Sequence, residues 1–131
     1  MKRLHPLLLT LAVTHVGPVL AQSPQAILEV LTREAGASAS IQRGERFYHA
    51  RPGGGEAESC ASCHTADARQ PGTHYRTRKR IEPLAPATNL ERFTDPAKVE
   101  KWFARNCKDV LGRACTPQEK ADFAAYVISL K

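Results

Sequence analysis

A chain of 131 residues has room for one domain of ordinary size and no need of a second. Its 19 lysines and arginines exceed its 13 acids for a formal charge of +6, but the basic residues lack the interleaved aromatic platforms of single-strand binders, which argues against nucleic acid. A modest positive excess suits instead the steering of an acidic partner.

Lys2 and Arg3 form a basic start, residues 7–16 a mostly apolar stretch, and Val19-Leu20-Ala21 a small-residue cleavage pattern, so residues 1–21 read as a signal peptide. Thr10, Thr14, His15, Gly17 and Pro18 interrupt that stretch, which falls short of the roughly 20 apolar residues of a membrane span. Export to the periplasm without a retained anchor follows, with residues 22–131 as the folded domain. Losing Lys2 and Arg3 takes the formal charge from +6 to +4. All four cysteines lie in the exported part, and in an oxidising compartment spare cysteines pair.

Ser23-Pro24 caps and opens a first helix over 24–35, with Gly36 as its stop. Ser40, Ile41, Gly44 and Tyr48 mark a second helix over 38–49, ended by Pro52-Gly53-Gly54-Gly55. From Thr65 to Thr94 the chain holds Pro71, Gly72, Pro83 and Pro86 with no sustained apolar period, the mark of irregular structure folded over something. The cluster Arg76, Arg78, Lys79 and Arg80 lies there, read as a solvated loop with a partner-docking patch as the sharper alternative. Asp95-Pro96 opens a helix with Val99, Trp102 and Phe103 on one face. Thr116-Pro117-Gln118-Glu119 is a capping box before Phe123, Tyr126, Val127 and Leu130, spaced along one face of a last helix. With no alternating strand pattern, the fold is predicted to be all-α, the second and last helices packing near Gly44 and Tyr126.

Between the second helix and the irregular segment stands Cys60-Ala61-Ser62-Cys63-His64, the attachment pattern of haem c. On one helical turn the two thiols reach the two vinyl groups of a porphyrin edge while the next imidazole swings under the iron. A thioredoxin-like redox pair would want a βαβ pattern, and none is visible. Four thiolates from Cys60, Cys63, Cys107 and Cys115 would suit a structural zinc; the adjacent histidine and the export signal favour one covalent haem c, with Cys107 and Cys115 left to form a disulfide.

The only methionine is Met1, so the exported protein has no thioether for the other side of the iron. His49, His74, Asn89, Asn106, a lysine, water or nothing remain. Asn106 lies seven positions after Val99 on the face of Trp102 and Phe103, where a buried amide needs a partner; iron would serve, and so would a backbone group near the helix end. Asn89 looks like a turn residue, and His74 offers a bis-histidine site.

The chain resembles the sphaeroides haem protein family, bacterial class I-like cytochromes c. Gly44-Glu-Arg-Phe-Tyr, Cys-Ala-Ser-Cys-His64, Ile81-Glu-Pro-Leu-Ala-Pro86, Phe93-Thr-Asp-Pro-Ala-Lys-Val-Glu-Lys-Trp102 and Arg105-Asn-Cys-Lys-Asp-Val-Leu-Gly112 carry the resemblance. It implies His64 as proximal ligand, Asn106 as distal ligand of the oxidised form, and a Cys107–Cys115 disulfide beside it. It also implies reduction by a partner cytochrome, after which asparagine lets go and oxygen or nitric oxide binds. The rivals are a plain bis-histidine electron carrier and a haem enzyme; no distal acid or base beyond these candidates supports catalysis.

Overall fold

A computed structural model describes residues 22–131, so the signal-peptide reading of residues 1–21 lies outside the described residues. In chain order the elements are α1 (Pro24–Ala35), α2 (Ile41–His49), α3 (Cys60–His64), β1 (Gly72–Thr73), β2 (Arg80–Ile81), α4 (Pro96–Leu111) and α5 (Pro117–Ser129). Every helix begins where a side-chain oxygen accepts from an N–H that the first turn leaves without a partner. Ser23 does this for Ala26, Ser40 for Arg43, Ser59 for Ser62, Asp95 for Lys98 and Thr116 for Glu119. At Thr116 the reciprocal bond from the cap N–H to the Glu119 side chain is also present.

α1 spans the residues its sequence predicts, closed by Gly36 in a left-handed conformation. α2 starts at Ile41, three residues later than expected, because Ser40 acts as its cap. The Ser38 carbonyl accepts instead from the side chains of Arg43 (2.8 Å) and Gln118 (3.2 Å), which ties the α1–α2 corner to α5. Residues 65–94 are largely irregular, as expected. Within them, Gly72 pairs with Ile81 and Thr73 with Arg80 in an antiparallel ribbon too short to carry a sequence period.

The core forms where α1 and α2 lie against α5, which buries Ala121, Ala124 and Val127 completely. Gly44 permits the closest approach: a Cβ there would lie 1.9 Å from the Asp122 carbonyl oxygen and 2.8 Å from the Tyr126 Cβ. Tyr48, one turn further on and fully buried, meets the rings of Tyr126 at 5.4 Å and Phe123 at 6.1 Å. α4 makes few close backbone contacts with the other helices. It is joined to them by the Phe103–Phe123 edge contact at 5.6 Å, by the Ala57 N–H donating to the Asp109 carbonyl, and by a disulfide from Cys107 to Cys115.

Asp122 is the one buried acid among the described residues, 4% exposed. It accepts from the Ser40 N–H (2.7 Å), the Arg43 Nε and Nη2 (2.7 and 2.8 Å) and the Gln118 Nε2 (2.9 Å). Burial pushes its carboxyl upward, and the bonds from Arg43, Ser40 and Gln118 outweigh that push, leaving the pKa below the ordinary 3.8. A depressed carboxyl stabilises the fold above its unfolded pKa, and the contribution is lost as pH falls through the folded value. Asp122→Asn is therefore expected to cost about 1 to 2 kcal/mol at pH 7, a range discounted because the Arg43 partner is half exposed. In thermal melts the gap between wild type and variant should close as pH drops from about 5 toward 2; a gap constant with pH would refute the assignment.

Candidate haem-binding site

Between α3, α4 and the 65–94 segment lies a cavity of about 650 Å³, within the usual range for a cofactor or ligand site. Cys60, Cys63 and His64 reach it from α3, and Trp102, Phe103 and Asn106 from α4. Phe47 of α2 and Phe123 of α5 close it toward the core.

α3 is only five residues long, yet it is held at both ends. At its start Ser59 and Ser62 bond reciprocally, the Ser59 N–H to Ser62 Oγ at 3.3 Å and the Ser62 N–H to Ser59 Oγ at 3.0 Å. At its end the Tyr48 hydroxyl sits between the carbonyls of His64 (3.1 Å) and Thr65 (2.7 Å). Thr65 adopts φ 64° and ψ 171°, a region normally left to glycine, so the chain turns sharply away directly after the imidazole. The turn is braced further by Thr65 Oγ1 donating to the Asp67 carbonyl at 2.7 Å. Gly72 then runs close beneath α3, where a Cβ would fall 1.9 Å from the Cys63 carbonyl. Nothing in the sequence singles out Tyr48 as a site residue; its place one turn after Gly44 marks it only as part of the second helix.

Burial pushes His64 down to about 4, with the positive charge of Arg92 adding to the effect, so the imidazole is neutral at pH 7, the form that binds metals. Burial likewise pushes the Cys60 thiol up to about 12. A thiol so firmly protonated is poorly suited to thiolate-driven disulfide exchange. The zinc alternative fails on a direct observation, since Cys107 and Cys115 are bonded to each other and only Cys60 and Cys63 remain free among the described residues. Two free thiols and an imidazole on one short helix, all facing one largely apolar cavity, fit a covalently held haem with the imidazole on its iron.

The distal candidates separate. His49 stacks edge-on against Tyr48 at 5.0 Å and does not line the cavity. Asn89 lines it, but its Nδ2 donates to the Pro83 carbonyl at 3.2 Å and its Oδ1 accepts from the Glu91 N–H at 3.2 Å, the turn role its sequence suggested. His74 lines it too, with Nδ1 accepting from the N–H groups of Arg76 (3.2 Å) and Thr77 (3.3 Å). Asn106 lines it on the α4 face of Trp102 and Phe103, and its side chain makes no hydrogen bond to any described residue. Its expected burial is not found: the residue is exposed, because the face it shares looks onto the cavity rather than onto another helix. The alternative of a backbone hydrogen bond is not found either. In the basic cluster Arg76 pairs with Glu56 and Arg80 with Glu82, so half its charge is neutralised locally and the solvated-loop reading fits it better than a docking patch.

Helices enclosing an apolar cavity that presents Cys60, Cys63 and His64 define a c-type cytochrome with one covalently bound haem c. Over 123 residues the chain is 44% identical to the cytochrome c-type protein SHP of Cereibacter sphaeroides, covering 91% of this chain and 95% of that one. It belongs to that family, the sphaeroides haem proteins. The family model described as a domain of unknown function, DUF1924, matches residues 34–127. The structure of oxidised SHP, described as an oxygen-binding cytochrome c, superposes with a TM-score of 0.80 at 43% identity, covering 84% of this chain and 99% of that one. Cytochrome c'' of Methylophilus methylotrophus is 46% identical over 93 residues, which is 69% of this chain and 64% of that one. Its solution structure, described for the structural basis of haem-ligand detachment, matches with a TM-score of 0.70 at 36% identity over 82% of this chain and 93% of that one. Among the described residues no helix is long and apolar enough to cross a membrane.

Proposed function

We propose that this is an exported, periplasmic cytochrome whose haem is stitched to Cys60 and Cys63 and whose iron is held by His64 and, when oxidised, by Asn106. On reduction by a partner cytochrome, Asn106 withdraws and a diatomic gas, oxygen or nitric oxide, takes its place. The observation that carries this reading is the Asn106 side chain: a carboxamide without a partner among the described residues, on the wall of the cavity that His64 also lines. When bound, the haem supplies an iron that cycles between ferric and ferrous states and, in the latter, accepts a gas.

Asn106 offers an amide oxygen, a hard, neutral and weak donor that suits ferric iron better than the softer ferrous ion. One electron thus shifts the side chain between two positions, a ligand exchange of the two-state kind. No described residue bonds the exposed amide, so rotamer preferences, solvent and the iron decide where it points. SHP being an oxygen-binding cytochrome c and cytochrome c'' a protein of haem-ligand detachment both support the reading. His64 keeps its place throughout, because Tyr48 and the Thr65 turn fix the backbone beneath it.

Asn106→Ala is expected to change the ferric absorption and electron paramagnetic resonance spectra while the reduced protein still binds carbon monoxide at least as fast as wild type. An unchanged ferric spectrum would sink the asparagine ligand. The bis-histidine carrier keeps one observation in its favour, the presence of His74 on the same cavity wall. It requires His74→Ala to alter the ferric spectrum and the reduced wild type to refuse carbon monoxide.

A further inference from the structure

Among the described lysines and arginines, Arg92 alone is neither exposed nor paired with a carboxylate. Its guanidinium lies on the wall of the cavity, with Nε donating to the Pro83 carbonyl at 2.9 Å and Nη2 to the Glu82 carbonyl at 2.8 Å. Those two bonds fix the plane of the group and leave the rest of its five donors for something else. The acids nearby do not take them: the Glu82 carboxylate pairs with Arg80 at 2.9 Å, and both Glu82 and Glu91 are exposed.

The backbone that aims Arg92 inward is itself strained. Phe93, the next residue, is buried against the cavity at φ 56°, a conformation costly for a bulky side chain. Such strain persists where the surrounding structure demands a particular side-chain placement. A half-buried cation beside apolar walls calls for an anion, and the planar fork of a guanidinium matches a carboxylate with two parallel hydrogen bonds. Other cations on the wall, Lys79, Arg80, Lys98 and Arg105, are exposed, and Arg80 is paired with Glu82.

We propose that Arg92 binds an ionised propionate of the haem, fixing one edge of the ring while the two thioethers fix another. The proposal rests on the haem reading but not on the distal ligand. Arg92 touches the carboxylate and not the iron, so its loss acts on the electrostatics and orientation of the group. Removing the pair leaves a carboxylate charge uncompensated near the iron, which favours the ferric state.

Holo-protein carrying Arg92→Gln, Arg92→Lys or Lys98→Gln can be compared with wild type, each first checked by mass for covalent haem. In Arg92→Gln the propionate bending band in resonance Raman should move. The reduction equilibrium should also shift about tenfold toward the ferric form, about 59 mV for one electron. Arg92→Lys, which keeps the charge and loses the fork, should move the band with a smaller change of potential, and Lys98→Gln should move neither. With covalent haem present by mass, an unmoved band and potential in Arg92→Gln overturn the proposal, as does a Lys98→Gln shift equal to that of Arg92→Gln. Absence of covalent haem in wild type would overturn the haem reading instead, so the two failures are told apart.

Discussion

Gly44→Ala is expected to destabilise the protein by about 3 kcal/mol or more, a fall in Tm of roughly 15 °C for a domain of this size. The atoms that a Cβ at position 44 would meet are the Asp122 carbonyl oxygen at 1.9 Å, its carbon at 2.6 Å and the Tyr126 Cβ at 2.8 Å. These belong to the backbone and first side-chain atom of α5, which no rotamer change can move aside. α2 and α5 would have to separate, thinning the packing of Tyr48, Tyr126 and Val127 and lengthening the bonds that Asp122 accepts from Ser40 and Arg43. Tyr48 also holds the carbonyl of His64, so loss of interhelix contact reaches the site. Urea unfolding of the variant would read the effect directly; a loss below about 1 kcal/mol would contradict the close approach.

Replacing both Cys60 and Cys63 by serine should abolish covalent haem altogether. The two sulfurs stand three residues apart on α3 and both line the cavity, and no other free cysteine exists among the described residues to substitute for them. The consequence for folding should be nearly as large. α4 is bound to the rest chiefly by one aromatic edge, the Ala57–Asp109 backbone bond, the Lys120–Glu100 ion pair and the disulfide, so much of the surface it offers to the domain faces the cavity. Mass spectrometry of the exported variant should show the polypeptide without a haem adduct, and circular dichroism should show lower helicity and a broadened melt. A haem adduct that survived the double substitution would contradict the attachment.

Local rules made most helices readable in advance. Caps and first-turn prolines at Ser23-Pro24, Asp95-Pro96 and Thr116-Pro117 act within one turn, so they speak from the sequence. The start of α2 differs from its sequence expectation because Ser40 caps the helix instead of lying within it, while the Ser38 carbonyl is held by Arg43 and by the distant Gln118. The attachment helix and the Cys107–Cys115 bridge were legible from spacing and compartment. Asn106 was legible as to face but not as to burial, since sequence cannot tell a helix face turned to a neighbour from one turned to a cavity. Tyr48 and Arg92 carry no sequence signal of a role at the site: what distinguishes them is a hydroxyl meeting carbonyls 16 and 17 residues away and a guanidinium meeting carbonyls 9 and 10 residues back.

The single tryptophan of the chain is Trp102, 40% exposed, on the cavity wall and one helical turn from Asn106. Evolution has thereby placed a native fluorophore beside the point where the ligand exchange is proposed to occur. Its emission would be quenched by energy transfer to the porphyrin to a degree set by separation and orientation, so the ligand exchange at Asn106 can be timed by stopped flow with no label attached.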